Sequence, residues 1–303
     1  MIVIKLIGGL GNQMYQYAYG LQLAKQYGEQ ICFDTSFYEK GNHLALYNLN
    51  VPEHPLWDET DISAAERLGV KLRQKGFHIL QKLIRIIGRT DRTGDKLFLR
   101  SAKKGFLFNF DPYYYDIPRC EAKNKYIYGY FQGEQYFSKC VEALKEQFTV
   151  RRELSEAAKC YEEMIRDCNA VAFHIRLGDY KNVANVDLDV CSTAYYRRAI
   201  AHICEQVDDP VFFVFTNDAQ QAKQLLAFPE GTVFVQGTRD YEDFALMKSC
   251  KHFVLSNSTF SWWAAYLAEN DDRIITVPEK WRHSEVDEPA IYLSNMTKLP
   301  ITE

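Results

Sequence analysis

The chain has 303 residues, 47% hydrophobic and 25% charged, a composition that excludes disorder, collagen and coiled coil and leaves room for about two domains at roughly 150 residues each. A net charge of −4 and a pI near 6.0 give no global basic field, so nucleic acid is not an expected partner. Aromatic residues reach 14%, from 20 Tyr, 19 Phe and 4 Trp, and such rings suit polar ring-shaped ligands as well as ordinary cores.

The apolar run Ile2–Ile7, broken only by Lys5, reads as a parallel strand buried on both faces. It is too short for a signal-peptide core, and no apolar run approaches the roughly 20 residues of a bilayer span. After the glycine turn Gly8-Gly9-Leu10-Gly11-Asn12-Gln13, the residues Met14, Tyr17, Ala18, Leu21 and Ala24 fall at helical spacing up to a stop at Gly28. Ile31-Cys32-Phe33 then gives a second strand that closes at Asp34. The turn is a poor dinucleotide fingerprint, because Met14 stands where the third glycine would be and would hold helix and strand apart. It is either a purely structural turn or a contact for phosphate or sugar. On the second reading, Gly9, Gly11, Asn12 and Gln13 lie at a helix N-terminus whose N–H groups favour anions.

From about Tyr38 to Lys125 the prolines Pro52, Pro55, Pro112 and Pro118 interrupt the periodicity. One stretch stands out: Lys71–Arg89 is basic and amphipathic, and reads either as a solvated helix face or as a surface for an anionic membrane. Tyr126–Gln132 is β-rich and bounded by glycine, and Tyr136–Phe148 resumes helical spacing. A charge-dense stretch, Arg151–Asp167, marks the expected boundary and gives domains of 1–155 and 156–303.

The second half alternates strand and helix. Val171–Ile175, Val211–Phe215, Thr232–Val235, His252–Leu255 and Ile274–Val277 read as strands; Thr193–Gln206, Asp218–Phe228, Tyr241–Ser249 and Phe260–Leu267 read as helices. That pattern predicts an α/β fold with a doubly wound, Rossmann-like parallel sheet. Its carboxyl rim would carry His174-Ile175-Arg176, Thr216-Asn217-Asp218 and Ser256-Asn257-Ser258-Thr259.

Leaving a buried strand, His174 and Arg176 share one side by the two-residue period. The planar, always-charged fork of Arg176 suits a diphosphate; a salt bridge to Asp179 and a buried core histidine are the competing explanations. At the strand-to-helix junction, Ser256, Ser258, Thr259 and Ser261 outnumber what capping needs and make a candidate anion cradle. Asp187-Leu188-Asp189 has the form of a pair that holds a divalent ion, but it lies in a loop and not at a clear strand end. The eight cysteines are scattered, with no C-x-x-C and no zinc spacing, and read as reduced thiols of a cytoplasmic protein.

In order along the chain, Gly8–Ala18, Tyr128–Gln132, His174–Tyr180 and Ser249–Leu267 resemble the four blocks of the family 11 glycosyltransferases, the bacterial α-1,2-fucosyltransferases. The resemblance implies a GT-B architecture of two facing Rossmann-like domains. GDP-β-L-fucose would be the donor and a galactose-containing glycan the acceptor, with inversion at the anomeric carbon, no cofactor and no metal. Carried over by position, Arg176 binds the diphosphate with Ser258 and Thr259 in support. His174 and Asp243 lie by the guanine, Asn257 belongs to the donor site, and Asn12 approaches the donor from the facing domain. Many members carry a second arginine where this chain has Leu177. Asp179 is the candidate base, with proton transfer to the donor phosphate as the alternative. The competing functions are a GDP-sugar transferase of other linkage, a non-catalytic glycan- or nucleotide-binding protein and, last, an NAD-dependent oxidoreductase.

Overall fold

The computed structural model describes residues 1–38, 44–57, 62–87, 95–177, 187–284 and 289–302. Residues 178–180, with the candidate base Asp179, and Gly88 and Arg89 of the basic segment lie outside them. Contacts divide the chain into two units, with the break between Gln147 and Phe148. The 155/156 division read from the sequence falls at Ser155, whose side chain caps the helix that begins there by accepting from the Ala158 N–H. Tyr47–Asn50 belong to the second unit, where the Asn50 N–H donates to the Thr149 carbonyl at 2.9 Å. Ala290 belongs to the first, its N–H bonded to the Pro112 carbonyl.

The first unit is built on β1 (Ile2–Lys5), α1 (Leu10–Tyr27), β2 (Ile31–Asp34), α2 (Ala64–Ile87), α3 (Asp95–Ala102), β3 (Phe106–Asn109), β4 (Lys125–Gly129) and α4 (Val141–Gln147). Its four strands are all parallel, in the order β2-β1-β4-β3, with Ile4 opposite both Phe33 and Ile127. β-Branched and aromatic residues buried on both faces explain why these segments sit inside the sheet. The run read as one helix from Tyr136 to Phe148 is instead two 3₁₀ turns, Glu134–Tyr136 and Ser138–Cys140, followed by the short α4.

The close approach of α1 to β1 is supplied lower down than the fingerprint argument expects. Met14 is wholly buried in the core, and Gly20 makes the contact: a Cβ there would stand 2.1 Å from Ile4 Cδ1. Absence of the third glycine therefore does not separate the helix from the sheet.

The second unit contains α5 (Glu156–Arg166), β5 (Asn169–Ile175), α6 (Thr193–Gln206), β6 (Pro210–Thr216), α7 (Ala219–Leu225), β7 (Val233–Phe234), α8 (Asp240–Ser249), β8 (His252–Val254), α9 (Thr259–Leu267), β9 (Ile275–Pro278) and β10 (Met296–Leu299). The sheet order is β10-β9-β8-β5-β6-β7, again fully parallel. Phe173, Ile175, Tyr195, Tyr196, Phe212 and Val214 make the core between this sheet and α6. All eight cysteines are free thiols. Among the described residues no helix is long and apolar enough to cross a membrane.

Gly20→Ala will lower stability by about 1–3 kcal/mol, because the added methyl meets a buried neighbour in a packed core. Ile4→Val, which alone costs about 0.5–1.5 kcal/mol, will cost less in the Gly20→Ala background because it removes the colliding Cδ1. Urea denaturation of the four proteins of this cycle measures the coupling; strict additivity would show that the two positions do not touch.

Candidate donor site

Strand order in the second unit reverses between β5 and β8, so the loops leaving their carboxyl ends diverge and open a crevice, the usual ligand position of such sheets. The end of β5 and the residues after it carry His174, Arg176 and Leu177; the turn from β8 into α9 carries Ser256, Asn257, Ser258 and Thr259. The sequence reading brings these two groups to the same rim, and the pairing of β5 with β8 places them side by side.

Alternation along β5 sorts the first group. Val171, Phe173, Ile175 and Leu177 all join the core, and the side chains between them point the other way. Leu177 is 6% exposed and is clamped from both sides by Asn217: its N–H donates to Asn217 Oδ1 at 2.9 Å, and Asn217 Nδ2 donates to its carbonyl. Arg176, on the opposite side, is exposed.

His174 is 8% exposed, and its Nδ1 lies 2.7 Å from Ser256 Oγ, a hydrogen bond that joins the β5 and β8 ends across the reversal. Burial drives its pKa down to about 3, with the Arg176 charge adding to the effect, so the ring is neutral at physiological pH. A neutral ring fits beside a cation; an imidazolium would repel it.

Ser258 is the N-cap residue of α9, and Thr259, half-buried, is its first helical residue. Ser258 is 3% exposed, and its side chain makes no capping bond to the helix. Asn257 plays a different part from the one the family position implies. It is 3% exposed, and its Nδ2 donates to the Leu188 and Trp281 carbonyls at 2.8 and 3.0 Å, while its Oδ1 accepts from the Cys191 thiol. Its amide is a staple that fixes the surrounding loops.

Asp243 lies in the first turn of α8, half-buried, and its Oδ1 accepts from Thr238 Oγ1 at 2.5 Å. Burial, with Asp240 and Glu242 adding, pushes its pKa up to about 6 against the lowering effect of Thr238. Phe260 connects it with the rim: its ring is 6.1 Å from that of His174 and 6.0 Å from that of Phe244, the residue after Asp243.

The first unit has a reversal of its own, between β1 and β4. Gln16 holds it shut, accepting from the Ile7 N–H and donating to the Ile7 and Gly129 carbonyls. Gly8 takes φ +78°, and a Cβ there would meet Asn12 Nδ2 at 2.8 Å, so only glycine fits the turn. Asn12 is half-buried and accepts from Gln132 Nε2 at 3.0 Å, while Gly9 is exposed at the N-cap of α1. Gln132 is carried into place by Phe131, which adopts φ 52° and is held there by stacking on Tyr19 at 4.4 Å. Gln13 is fully buried, its Nε2 donating to the Gly8 carbonyl and its Oε1 accepting from the Leu46 N–H, so both ends of its amide are used in shaping the turn. Gly11 is likewise buried, inside the first turn of α1.

Asp187 accepts from the Ser284 N–H and hydroxyl at 2.7 and 2.8 Å, one on each carboxylate oxygen, and therefore anchors the 283–284 turn. Gln132 and Thr238, which position Asn12 and Asp243, were not singled out from the sequence, and Ser256, read there as part of an anion cradle, spends its hydroxyl on His174. A hydroxyl or amide two strands away in the chain carries no local signal, although Ser256 and Gln132 do fall within the quoted motifs.

The family model described as glycosyl transferase family 11 matches residues 109–299. The α-1,2-colitosyltransferase of Escherichia coli is 29% identical over 296 residues, covering 94% of this chain and 93% of that one. The human galactoside α-(1,2)-fucosyltransferase 1 is 30% identical over 149 residues, covering 45% of this chain and 41% of that one. In fold, the chain is similar to the crystal structure of the fucosyltransferase NodZ from Bradyrhizobium, with a TM-score of 0.52 at 13% identity over 89% of this chain and 95% of that one. Two parallel-sheet, Rossmann-like units make this an α/β protein of the GT-B type.

His174 titrates near 3 in the folded protein against an ordinary 6.5, so between those values the unfolded chain binds the extra proton and stability falls as pH drops from 6.5 toward 3. His174→Gln will flatten that slope by up to about 1.4 kcal/mol per pH unit, as read from urea denaturation between pH 7 and 4. An unchanged slope would mean that the ring is not buried in its neutral form.

Proposed function

Because the chain belongs to glycosyl transferase family 11, we propose that it transfers L-fucose, with inversion, from GDP-β-L-fucose to the 2-hydroxyl of a terminal galactoside. The observation that supports this reading is that Arg176, exposed at the end of β5, and the hydroxyl-bearing N-terminus of α9 follow the two neighbouring strands at the reversal. The α-1,2 linkage in the names of the colitosyl- and fucosyltransferase relatives supports the 2-hydroxyl as nucleophile.

As the bond from the anomeric carbon to the phosphate oxygen breaks, negative charge grows on the departing GDP. Arg176 can grip two of its oxygens at once. The first N–H groups of α9 and the Ser258 and Thr259 hydroxyls add preorganised donors that require no reorganisation as charge develops. This set neutralises the diphosphate without a divalent ion, and the engagement of Asp187 by Ser284 supports a metal-independent reaction. The Asp243 carboxylate is assigned to the N1–H and amino donors of guanine, with neutral His174 nearby. Asn12, held by Gln132, is assigned to a sugar hydroxyl, with Gly9 leaving room for it. Asp179 remains the proposed proton acceptor; passage of the acceptor proton to a donor phosphate oxygen is the competing step. The free thiols support a reducing, cytoplasmic setting.

A second donor is favoured by one observation, the 29% identity over 94% of the chain to a colitosyltransferase. Turnover with lactose under competing GDP-fucose and GDP-colitose, followed by linkage analysis of the product, decides between them. No transfer from either donor would remove the reading altogether.

Arg176→Ala will lower kcat by about 10²–10³-fold, the usual cost of losing one charge-stabilising group, with an unchanged melting curve because the side chain is exposed. Near-normal turnover in the folded variant would overturn the assignment of Arg176. For Asp243, the ionised form is the one that accepts from guanine. GDP affinity measured by calorimetry will therefore weaken as pH falls through about 6, and Asp243→Asn will bind weakly with little pH dependence between pH 5 and 8.

A further inference from the structure

α2 has two faces of opposite chemistry. On the inner one, Glu66 Oε1 accepts from Asn124 Nδ2 and from the Tyr126 hydroxyl, both at 2.9 Å. Val70 and Phe77 join the aromatic cluster on the sheet, and the His78 ring lies 2.8 Å from the Tyr128 hydroxyl. Over residues 64–80 these packing contacts of the helix lie on this face. On the other face Leu68, Leu72 and Ile79 are 58%, 58% and 60% exposed. At 100° per residue these three fall within an arc of about 40°, and Lys71 and Lys75, both exposed, border it along one side.

Charge along the segment is equally one-sided. Between Glu66 and Asp91 the sequence holds seven lysines and arginines and no acidic residue, in a chain whose net charge is −4. A large aliphatic stripe bordered by lysines, on a helix whose other face is already packed, matches an element lying in the headgroup region of a bilayer. A second copy of the chain would bring this cationic helix against its like. An acidic lipid surface supplies the opposite charge together with an apolar boundary.

We propose that α2 docks the protein on an anionic membrane surface, with Leu68, Leu72 and Ile79 entering the headgroup boundary and Lys71 and Lys75 meeting lipid phosphates. The surface is independent of the donor site, and its test does not read transfer.

The test is co-sedimentation of the full chain with vesicles of phosphatidylcholine alone, or with about one third phosphatidylglycerol, at low and high salt. Binding is expected only to the anionic vesicles and weakens as salt rises. The pair Leu72→Glu and Ile79→Glu lowers the partition coefficient by about tenfold or more, as does the pair Lys71→Glu and Lys75→Glu. The milder Leu72→Gln moves it in the same direction, and none of these exposed substitutions changes the melting temperature or GDP affinity. Equal binding to both vesicle types, binding to neither, or a dimer that Leu72→Glu and Ile79→Glu dissolve would overturn the proposal.

Discussion

A strand in a parallel sheet can be reached only by a crossover, and a sheet that has grown to one side of its first strand can continue on the other only by turning back. Both sheets of this protein obey that constraint once. In the second unit the chain grows from β5 to β6 and β7, then returns through α8 to lay β8 against the free edge of β5. In the first it grows from β1 to β2, crosses back to lay β3, and then inserts β4 between β3 and β1. The turn-back leaves two strand ends whose loops cannot cover each other, and at both places the chain puts polar residues that a buried strand end could not otherwise hold. The location of the candidate site thus follows from connectivity before any side chain is considered.

Opening a crevice exposes backbone groups that must be satisfied, and much of the motif sequence serves that need. Gln13, Gln16, Asn217 and Asn257 all use their amides on backbone carbonyls or N–H groups around the two reversals. Each of these staples both donates and accepts, which an amide does and a carboxylate or ammonium does not. The residues left facing outward, Arg176, Thr259, Asp243 and Asn12, are fewer than the motif blocks contain. Phe131 belongs to the same logic: a bulky residue with positive φ persists only when its surroundings fix it, and its stack on Tyr19 fixes it one residue before Gln132. Part of the aromatic excess is therefore used to hold strained backbone at a rim.

The sheet strands and their order of use were legible because strands buried on both faces read as continuous apolar runs, as in Ile2–Ile7 and Val171–Ile175. β3 and β10 were not, since FLFN is four residues long between Gly105 and Pro112, and MTKL at the sheet edge is half-exposed and lacks an apolar pattern. α5 was hidden by its charge: only Ala158 and Ile165 are buried, too few to mark a periodic face. At the site, the residue types were legible and their direction was not. Nothing local distinguishes Asn12 from Gln13 until the helix fixes which of the two turns inward, and nothing local shows that Asn257 and Ser258 are both buried. The parity of β5 was the exception, because a two-residue period separates His174 and Arg176 from Ile175 and Leu177 without further information.

That parity also explains why a leucine at 177 is compatible with the proposed chemistry. The side chain enters the cluster formed by Val171, Phe173, Ile175 and Tyr196, and Asn217 pins its backbone, so a guanidinium at this position would have to leave the core to reach the rim. With that position apolar, the charge at the strand end rests on Arg176, and its electrostatic effect depends on what stands beside it. An imidazolium two residues away would compete for the same anion and raise the cost of holding both cations together. Burial of His174 against Ser256 keeps the ring uncharged, so Arg176 and the N-terminus of α9 act on an anion in a setting free of that repulsion.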